Sequence, residues 1–411
     1  MTTSMSNLPN HLEEEILSMI PLSSMRAVRL TCKKWNTLFK SRSFTTMHIG
    51  KQEAAAKESE ESRMVVMMDY NVCLTSVVFV NENENPLTKP LGKLTLLNNE
   101  QVKISQVFHC DGLLLCILKD DDTRFVVWNP YLGQTRWIET PHTYNQYKYK
   151  YAIGYEKNKS CRSYKILRSR DIYIANPGYI KCYSEIYDFD SNLWTSNNVV
   201  SVFWHVRFCD RRVTLKGNTY WCAEHGRRDI THTVCFDFTT NRFGQLRDLP
   251  FNDPYDQLVT LSCVRDEKLA VLVQSTVTYV IDIWITDNLE EEKVVWSKFL
   301  SVDLGPLTDL RISDGCFFID EEKKVAMVIN KDREERLDTL KIFGEDGYFY
   351  ELELGKSSDK KKCWPVMCSY VPSLVQVKLP EVGKRKRKRR KKVAQRNRKR
   401  RKKVAQRRKR D

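Results

Sequence analysis

The stretch LPNHLEEEILSMIPLSSMRAVRLTCKKWNTLF, residues 8–39, combines helical spacing with a surplus of apolar side chains. Leu12, Ile16 and Ile20 recur every four residues, which places them on one stripe of a helix that Pro21 ends. Two more short helices are predicted after this proline. A unit of about 40 residues buries too little surface to fold alone. Its apolar stripe must therefore be covered by another part of this chain or by a partner.

The order of residues in this stretch resembles that of the F-box. The likeness runs from Leu8-Pro9 through Ile16-Leu17 and Pro21-Leu22 to Cys32-Lys33-Lys34-Trp35, with Thr31 where many F-boxes have valine. The resemblance implies docking on a Skp-type adaptor, which joins the chain to a cullin and so to a ubiquitin ligase. An amphipathic helical cap packed on its own protein is the alternative. The motif places these residues in or just behind the adaptor contact: Leu8, Pro9, Ile16, Leu17, Pro21, Leu22, Cys32 and Trp35.

Length and composition indicate a chain of two or three globular domains. Its 411 residues are 41% hydrophobic and 11% aromatic, which is enough for a sizeable core. No apolar run approaches the roughly 18 residues of a membrane helix, and the N-terminus lacks a secretory pattern. Thirteen cysteines without a regular framework are typical of a reducing compartment. We therefore expect a soluble intracellular protein that does not contact membranes.

The net charge of +16 belongs to one end of the chain. Residues 384–411 contain 20 Lys or Arg and one Asp, which leaves −3 for residues 1–383. Within this tail, RKRRKKVAQRN at 387–397 recurs as RKRRKKVAQRR at 398–408. Such a run repels itself and has too few apolar residues to build a core. We expect residues 380–411 to be disordered.

The basic tail predicts a nuclear protein, with the cytoplasm as a second location, because import receptors bind basic runs. Nonspecific RNA or DNA contact through phosphate neutralisation is a second interpretation, compatible with import. The tail has no aromatic residue for base stacking, which argues against selective recognition. A solvated extension without function is the third interpretation. The predicted localisation signal consists of Lys384, Arg385, Lys386, Arg387, Lys388, Arg389, Arg390, Lys391 and Lys392.

Beyond the predicted helices, the residue pattern changes to short β-rich runs. Residues 51–63, KQEAAAKESEESR, favour a helical spacer, with an unstructured linker as the alternative. Apolar runs such as LLLCIL at 113–118 and VAMVI at 325–329 are then separated by turn residues. We predict an α+β multidomain chain: a small all-α F-box at 1–50, a linker at 51–63, a large all-β domain at 64–379 and the disordered basic tail at 380–411.

A weak internal sequence repeat indicates the architecture of the β-rich region. VVWNPYLGQTRWIE at 126–139, IYDFDSNLWT at 186–195 and CFDFTTNRFGQL at 235–246 share an apolar strand, a polar turn and an aromatic-led strand. IDIWITDNLEEEKVVWSKFL at 281–300 repeats the plan with a longer loop. The repeats recur every 45 to 60 residues, close to the roughly 40 to 50 of a propeller blade. We expect a β-propeller-like domain, with a pair of β-sandwiches as the competing architecture.

The β-rich region resembles the C-terminal F-box-associated domain, type 1, of a large plant family of F-box proteins. The resemblance implies that this domain presents a substrate-binding surface while the F-box holds the adaptor. Each motif also has a structural explanation: Asp111-Gly112 suits a hairpin turn, and Trp128 fits a buried strand end. The likeness rests on HCDGLL at 109–114, WNP at 128–130, AIGY at 152–155, YKIL at 164–167, IYD at 186–188 and KGNTYW at 216–221.

Target contacts are expected on loops at one end of such a domain. Three loops are candidates, at 140–150, 170–182 and 225–231. The first contains three tyrosines, and tyrosine offers contact area at low entropic cost. The sequence does not favour one loop over the others.

Catalytic and metal-binding constellations are weak in this sequence. It has no phosphate-binding loop, dinucleotide fingerprint or nucleophile elbow. Cys222, His225, His232 and Cys235 are zinc-ligand residue types, but their positions favour buried cysteines in two strands and histidines beside a hairpin loop. We predict no catalytic residue, no cofactor and no metal.

These features together predict the non-catalytic substrate-recognition subunit of a Skp-cullin-F-box ubiquitin ligase. The F-box would bind the adaptor, the β-domain would hold a target protein, and proximity would permit ubiquitin transfer. The alternative is a nuclear nucleic-acid-associated protein that acts through its basic tail. An enzyme on a propeller scaffold is a third class, without a supporting motif.

Overall fold

In the part of the chain that the computed structural model describes, six antiparallel sheets follow four helices. Among these residues no helix is long and apolar enough to cross a membrane. The structure describes residues 8–21, 24–39, 41–68, 70–79, 86–94, 102–141, 149–157, 162–174, 179–197, 199–206, 212–225, 229–251, 257–265, 267–275, 277–287, 289, 294–305, 317–331, 337–356 and 366–377.

The helical domain begins where the sequence predicts it. Glu13 lies in the first turn of α1, where a negative charge suits the helix dipole. The sulfur of Cys32 accepts a hydrogen bond from the amide of Trp35 and so caps the third helix. The helices are α1 Asn10–Ser18, α2 Met25–Thr31, α3 Lys33–Leu38 and α4 Arg42–Glu58.

Helix α4 continues into the predicted linker. It begins after Ser41, whose hydroxyl accepts a hydrogen bond from the amide of Phe44. After α4 ends at Glu58, the first strand starts at Glu61. Residues 51–58 therefore belong to α4 and residues 61–63 to β1, so most of the predicted linker is helical.

The six sheets are the blades of a propeller, which confirms the predicted architecture over the sandwich pair. The outer edge of blade 3 and both edges of blade 4 are broken into shorter strands. Blade 1 contains β1 Glu61–Met68, β2 Asn71–Val78 and β3 Leu87–Leu94. Blade 2 contains β4 Ile104–Cys110, β5 Leu113–Leu118, β6 Arg124–Asn129 and β7 Gln134–Glu139. Blade 3 contains β8 Lys150–Glu156, β9 Ser163–Ile174, β10 Tyr179–Asp188, β11 Leu193–Ser196 and β12 Val200–Val202.

The remaining blades complete the ring. Blade 4 contains β13 Trp204–His205, β14 Arg212–Leu215, β15 Asn218–His225, β16 Asp229–Asp237, β17 Arg242–Phe243 and β18 Arg247–Asp248. Blade 5 contains β19 Gln257–Val264, β20 Lys268–Ser275, β21 Val280–Thr286 and β22 Trp296–Asp303. Blade 6 contains β23 Phe317–Asp320, β24 Val325–Lys331, β25 Leu337–Gly344, the 3-10 turn Glu345–Gly347 and β26 Phe349–Lys356. The last strand is β27 Val366–Ser369.

The last strand closes the ring by joining the first blade. β27 pairs with β1, with Met367 opposite Val66, and becomes the innermost strand of blade 1. The inner strands β4, β8, β14, β19, β23 and β27 contact one another in a circle. Closure of this kind protects sheet edges that would otherwise pair with other chains.

Hydrophobic clusters fill the gaps between successive blades. Each of six clusters contains residues from two neighbouring blades, so every blade is held from both sides. At the closure, Met64 and Met367 of blade 1 pack with Met327 of blade 6. The ring is therefore stabilised by burial all around, including at its closure.

Two glycine-containing motifs interlock between blades 3 and 4. The amide of Tyr155 donates a hydrogen bond to the carbonyl of Gly217 at 3.0 Å. A Cβ at Gly154 would lie 2.3 Å from that carbonyl oxygen and 2.2 Å from the ring of Phe238. Only glycine permits this approach, which explains why AIGY and KGNTYW include one.

The strand directions separate two ends of the propeller. In blade 2, the β4–β5 and β6–β7 turns lie at one end, the near end, and the β5–β6 turn lies at the other, the far end. The helical domain packs on the β6–β7 turn and so occupies the near end. The segments predicted as loops, 140–150, 170–182 and 225–231, span the connections β7–β8, β9–β10 and β15–β16 at the far end. The prediction is too long for the second and third, because β9 runs to Ile174, β10 starts at Tyr179 and β16 starts at Asp229. Residues 142–148, 175–178 and 226–228 lie outside the described residues, and Tyr149 is buried.

Candidate functional site

The helical domain leaves a group of large apolar side chains uncovered. We call Leu12, Ile16, Met19 and Leu30 the apolar face. Their exposed fractions are 39%, 43%, 62% and 75%. Three of them come from α1 and the residue that follows it, at spacings of four and three, which places them on one stripe. Groups of exposed large apolar side chains are typical of protein contact sites.

The residues predicted for adaptor binding divide between the surface and the interior. Leu17 is only 1% exposed, so it lies behind the surface and cannot contact a partner directly. Leu22 lies outside the described residues. Sequence reasoning missed Leu12, Met19 and Leu30 as candidates, although the helical stripe already contained Leu12. Pro9, Ile16, Pro21 and Cys32 are exposed, and Leu8 and Trp35 are half-buried.

The opposite side of the helical domain is buried against blade 2. We call this buried contact the joint. The β6–β7 turn inserts Tyr131 and Leu132 among the helices, and both are almost fully buried. Their partners are Leu17, Met25, Phe39 and Phe44, with Leu374 at the margin. The helical domain therefore shares one hydrophobic core with the propeller.

Arg29 of α2 reinforces the joint from the helical side. Its guanidinium donates hydrogen bonds to the carbonyls of Tyr131 at 3.0 Å and Leu132 at 2.5 Å. These carbonyls lie in a turn and have no partner within a strand, so the fork of an arginine suits them. Charge-assisted bonds of this kind fix both the distance and the orientation of the β6–β7 turn relative to α2.

His48 of α4 connects three parts of the joint. Its Nε2 lies 2.8 Å from the carbonyl of Ile20, and its Nδ1 lies 3.1 Å from the hydroxyl of Tyr131. Because a carbonyl only accepts, Nε2 donates to Ile20. In a neutral ring Nδ1 is then the acceptor for the Tyr131 hydroxyl, which also lies 3.4 Å from the carbonyl of Thr45. Burial lowers the pKa of His48, which agrees with this neutral form.

Asn129 holds the turn in the shape that the joint needs. Its side-chain amide donates to the carbonyls of Ser373 and Val375, both at 2.9 Å, and its oxygen accepts from the amide of Leu132 at 2.9 Å. These bonds hold the segment that follows β27 against the β6–β7 turn, on which the helical domain packs. Gly112 lies in the predicted hairpin turn with φ 72°, and it also meets this segment, since a Cβ there would lie 2.2 Å from the Cβ of Ser373.

Glu13 braces the helices beneath the apolar face. Its buried carboxylate accepts hydrogen bonds from the ammonium of Lys34 and from the indole of Trp35. The bond from Lys34, together with that from Trp35, holds the pKa of Glu13 below its ordinary value. Trp35 thus links α3 to α1. Its half-buried ring helps to hold α1, the helix that contains most of the apolar face.

Two family matches cover nearly all of the helical domain and the propeller. Residues 5–47 match the F-box domain, and residues 63–377 match the F-box associated beta propeller domain. The chain belongs to the F-box-associated β-propeller family of F-box proteins. The F-box is the N-terminal domain, and the propeller follows it.

Curated relatives agree with this assignment. F-box protein At2g38590 of Arabidopsis thaliana is 46% identical over 94% of this chain and 94% of its own length. F-box/kelch-repeat protein At4g33290 of the same plant is 48% identical over 93% and 92%. F-box proteins in general act as substrate receptors of ubiquitin ligases, and this general role extends to the family member described here.

A third relative from the same plant has the name Peroxiredoxin-2A. It is 50% identical over 94% of this chain, which covers 70% of that protein. Thiol peroxidase chemistry needs a thiolate, whereas burial here raises the pKa of Cys116 and Cys182 to about 12 and that of Cys235 to about 11. These three cysteines of the F-box protein are packing residues.

Among the described side chains of the Cys-His set weighed as a zinc site, Cys222 and His232 lie on opposite faces of their sheet. β15 and β16 form the expected hairpin, in which His232 lies opposite Ala223 and Cys222 lies opposite Thr233. Cys222 packs between blades 4 and 5, whereas Ala223 packs between blades 3 and 4. His232 therefore shares a face with Ala223, away from Cys222, and its Nε2 contacts Asp248 at 3.1 Å.

Solved structures add little to this picture. A quinoprotein alcohol dehydrogenase-like protein from Bacteroides thetaiotaomicron aligns with a TM-score of 0.35 and 11% identity, over 72% of this chain and 66% of its own. A likeness at this level supports no statement about function.

Proposed function

We propose that this F-box protein is the substrate-recognition subunit of a Skp-cullin-F-box ubiquitin ligase. The observation that carries the proposal is the apolar face, where four large side chains are between 39% and 75% exposed. The joint covers the other side of the same helices. An adaptor can therefore bind without unpacking the F-box from the propeller.

The target is proposed to bind the propeller at its far end. The near end is occupied by the F-box, and the three candidate loops all connect strands at the far end. The buried joint would hold a bound target at a fixed direction from the adaptor. Ubiquitin transfer would then follow from proximity to a partner enzyme, without bond chemistry by this chain.

Co-purification with a Skp-type adaptor tests the first part of the proposal. The double variant Ile16→Glu, Leu30→Glu places charge on the apolar face and should lose adaptor at least about tenfold, because burying an unpaired carboxylate is costly. Val277→Glu is the matched control, since Val277 is 68% exposed at the far end. It should retain adaptor like the unmodified chain.

The proposal would be wrong if the folded unmodified chain recovered no adaptor from a lysate in which a known F-box protein does. Circular dichroism of each variant shows whether the fold is intact. Equal adaptor recovery by the double variant and the control would also contradict the role of the apolar face.

We also propose nuclear import through the basic block Lys384–Lys392, which lies outside the described residues. A fluorescent fusion of the full chain should be nuclear, and replacing every Lys and Arg of residues 384–410 with glutamine should make it diffuse, because the repeat at 398–408 contains a second basic run. Nonspecific nucleic-acid contact is the second candidate for the tail. Salt-dependent binding to mixed RNA that is lost in the same variant would favour it.

A further inference from the structure

The end of α2 and the start of α3 form an exposed corner beside the apolar face. We call Leu30, Thr31 and Cys32 the α2–α3 corner. Thr31 is the last residue of α2, and Cys32 has an extended backbone, with φ −151° and ψ 157°, before α3 begins at Lys33. All three residues are exposed, and Leu30 belongs to the apolar face. The corner therefore continues that surface by two residues.

The hydroxyl of Thr31 is turned back onto its own helix. It donates a hydrogen bond to the carbonyl of Val28. This carbonyl lies in the last turn of α2, where carbonyls lack amide donors from the helix itself. A threonine has one O–H group, so its only donor is used inside the chain. The polar part of Thr31 thus serves the end of α2.

The same bond fixes the position of the Thr31 methyl group. A threonine has two heavy atoms on Cβ, so a single torsion angle sets the position of both. Because the residue is exposed and its oxygen is held against the helix, the methyl group is what this side chain offers to a partner. A partner that approaches the corner therefore meets an apolar group in a fixed position.

The sulfur of Cys32 is also used at a helix end. It accepts a hydrogen bond from the amide of Trp35 at 3.4 Å and so caps α3. The polar side-chain atoms of Thr31 and Cys32 are therefore both bonded to backbone groups of the helices that they join. What the side chains of the corner offer to a partner is a leucine, one methyl group and a thiol, which behaves as a small hydrophobe.

We propose that the α2–α3 corner extends the adaptor-binding surface and that Thr31 contacts the adaptor through its methyl group. The adaptor group at this point would be an aliphatic or aromatic side chain, because the one hydroxyl donor of the corner is already bonded. We assign the adaptor as the partner because Leu30 belongs to both the corner and the apolar face. This inference rests on the proposed function and adds the chemistry of one part of the adaptor contact.

In this geometry Thr31 presents the same surface as a valine would. The two side chains have the same shape, and they differ by the O–H group that here bonds to the carbonyl of Val28. A free hydroxyl donor would be costly to bury in an apolar contact, whereas a bonded one is not. The bond explains how a threonine can occupy a position where many F-boxes have valine.

Calorimetry of the full chain with a purified Skp-type adaptor tests the inference. Thr31→Ser removes the methyl group and keeps the hydroxyl, and it should weaken binding about threefold to fivefold, the value of one buried CH₂ group. Thr31→Val keeps the shape and removes the hydroxyl. It should bind within about twofold of the unmodified chain, because the lost hydrogen bond lies inside α2 and not across the interface.

Thr37→Ser is the matched control for the loss of a methyl group. Thr37 is also exposed, and its hydroxyl donates to the carbonyl of Lys33 at 2.9 Å within α3. It belongs neither to the apolar face nor to the α2–α3 corner, so this variant should bind adaptor like the unmodified chain. Circular dichroism of the three variants shows whether their helix content is retained.

Three results would overturn the inference. Equal affinity of Thr31→Ser and the unmodified chain would mean that the adaptor does not reach the methyl group. A greater loss for Thr31→Val than for Thr31→Ser would assign the contact to the hydroxyl, whose oxygen keeps lone pairs for a partner N–H. An equal loss for Thr31→Ser and Thr37→Ser would assign the effect to helix stability.

Failure of this inference can be told apart from failure of the proposed function. If the unmodified chain binds adaptor and the double variant Ile16→Glu, Leu30→Glu does not, the proposed function stands whatever Thr31→Ser shows. An unchanged affinity of Thr31→Ser then removes only the inferred contact. If the folded unmodified chain binds no adaptor, both the proposed function and the inference are wrong.

Discussion

Ile16 and Leu17 are neighbours in one helix, yet they belong to two different surfaces. Ile16 is 43% exposed on the apolar face, and Leu17 is 1% exposed in the joint. The two residues have nearly the same hydrophobicity, so side-chain chemistry does not separate them. The insertion of Tyr131 and Leu132 covers one side of the helices and leaves the other open. Leu17 therefore serves stability, and Ile16 is available for a partner.

Polar contacts also distinguish the joint from the apolar face. The joint contains hydrogen bonds from Arg29 to two carbonyls and from Tyr131 to His48. The described residues of the apolar face contribute large side chains with no comparable polar anchors. A surface that must bind and release a partner differs in this way from one that must stay closed.

The largest effect is expected from a cavity in the joint. Leu17→Ala should lower the free energy of unfolding by about 2–5 kcal/mol, because a fully buried leucine leaves a void among rigid neighbours. Denaturant unfolding followed by tryptophan fluorescence measures it. Leu12→Ala, at a residue 39% exposed on the same helix, is the control and should cost much less. Equal losses would erase the distinction between the two surfaces.

A smaller loss is expected when the polar anchor of the joint is removed. Arg29→Met keeps most of the side-chain length but leaves the carbonyls of Tyr131 and Leu132 without their donor. The expected cost is about 1–3 kcal/mol in unfolding free energy. Proteolysis should cut the F-box from the propeller faster in this variant. Unchanged stability and unchanged cleavage would mean that apolar packing alone holds the joint.

The joint should also weaken in mild acid. Burial lowers the pKa of His48 below its ordinary value of 6.5, so the unfolded chain takes up the proton first. Stability is then greatest above this value and falls as the pH drops toward the folded pKa. Melting temperatures at about pH 7.5 and about pH 5.5 measure the change. His48→Gln should flatten this slope, and an identical slope would assign it to other groups.

The smallest effect on stability is expected at the apolar face. Leu30→Ala should change the free energy of unfolding by less than about 0.5 kcal/mol, since Leu30 is 75% exposed. The same variant should reduce adaptor recovery, which separates binding from folding. A large loss of stability here would mean that Leu30 packs within the chain in solution.

Local patterns were sufficient to predict much of the secondary structure. LLLCIL at 113–118 is β5, and the four repeats read from the sequence are the outer hairpins of blades 2 to 5. Such hairpins join strands that are close in sequence, so their alternation and turn residues stay visible. Blades 1 and 6 are not among these repeats. The closure of the ring was also beyond local patterns, because the innermost strand of blade 1 comes from the other end of the chain, about 300 residues away.

Part of the functional reading depended on contacts that no local pattern contains. Asn129 appears in the sequence only as part of the WNP motif at 128–130, yet in the structure it organises the turn that holds the F-box. Glu13 lies in the first turn of α1, where its charge suits the helix dipole, and its carboxylate also accepts a hydrogen bond from Trp35 of α3. In both cases the partner is distant in sequence, and periodicity does not identify distant partners.

The sequence by itself determined that residues 8–39 form short helices with too many apolar side chains, and that a β-rich domain of repeated hairpins follows. It could do so because helix stripes and strand alternation are properties of neighbouring residues. Only the tertiary structure decided which of those side chains are covered. Burial is a relation between surfaces that the chain brings together from far apart, and the β6–β7 turn lies about 100 residues from the helices that it covers.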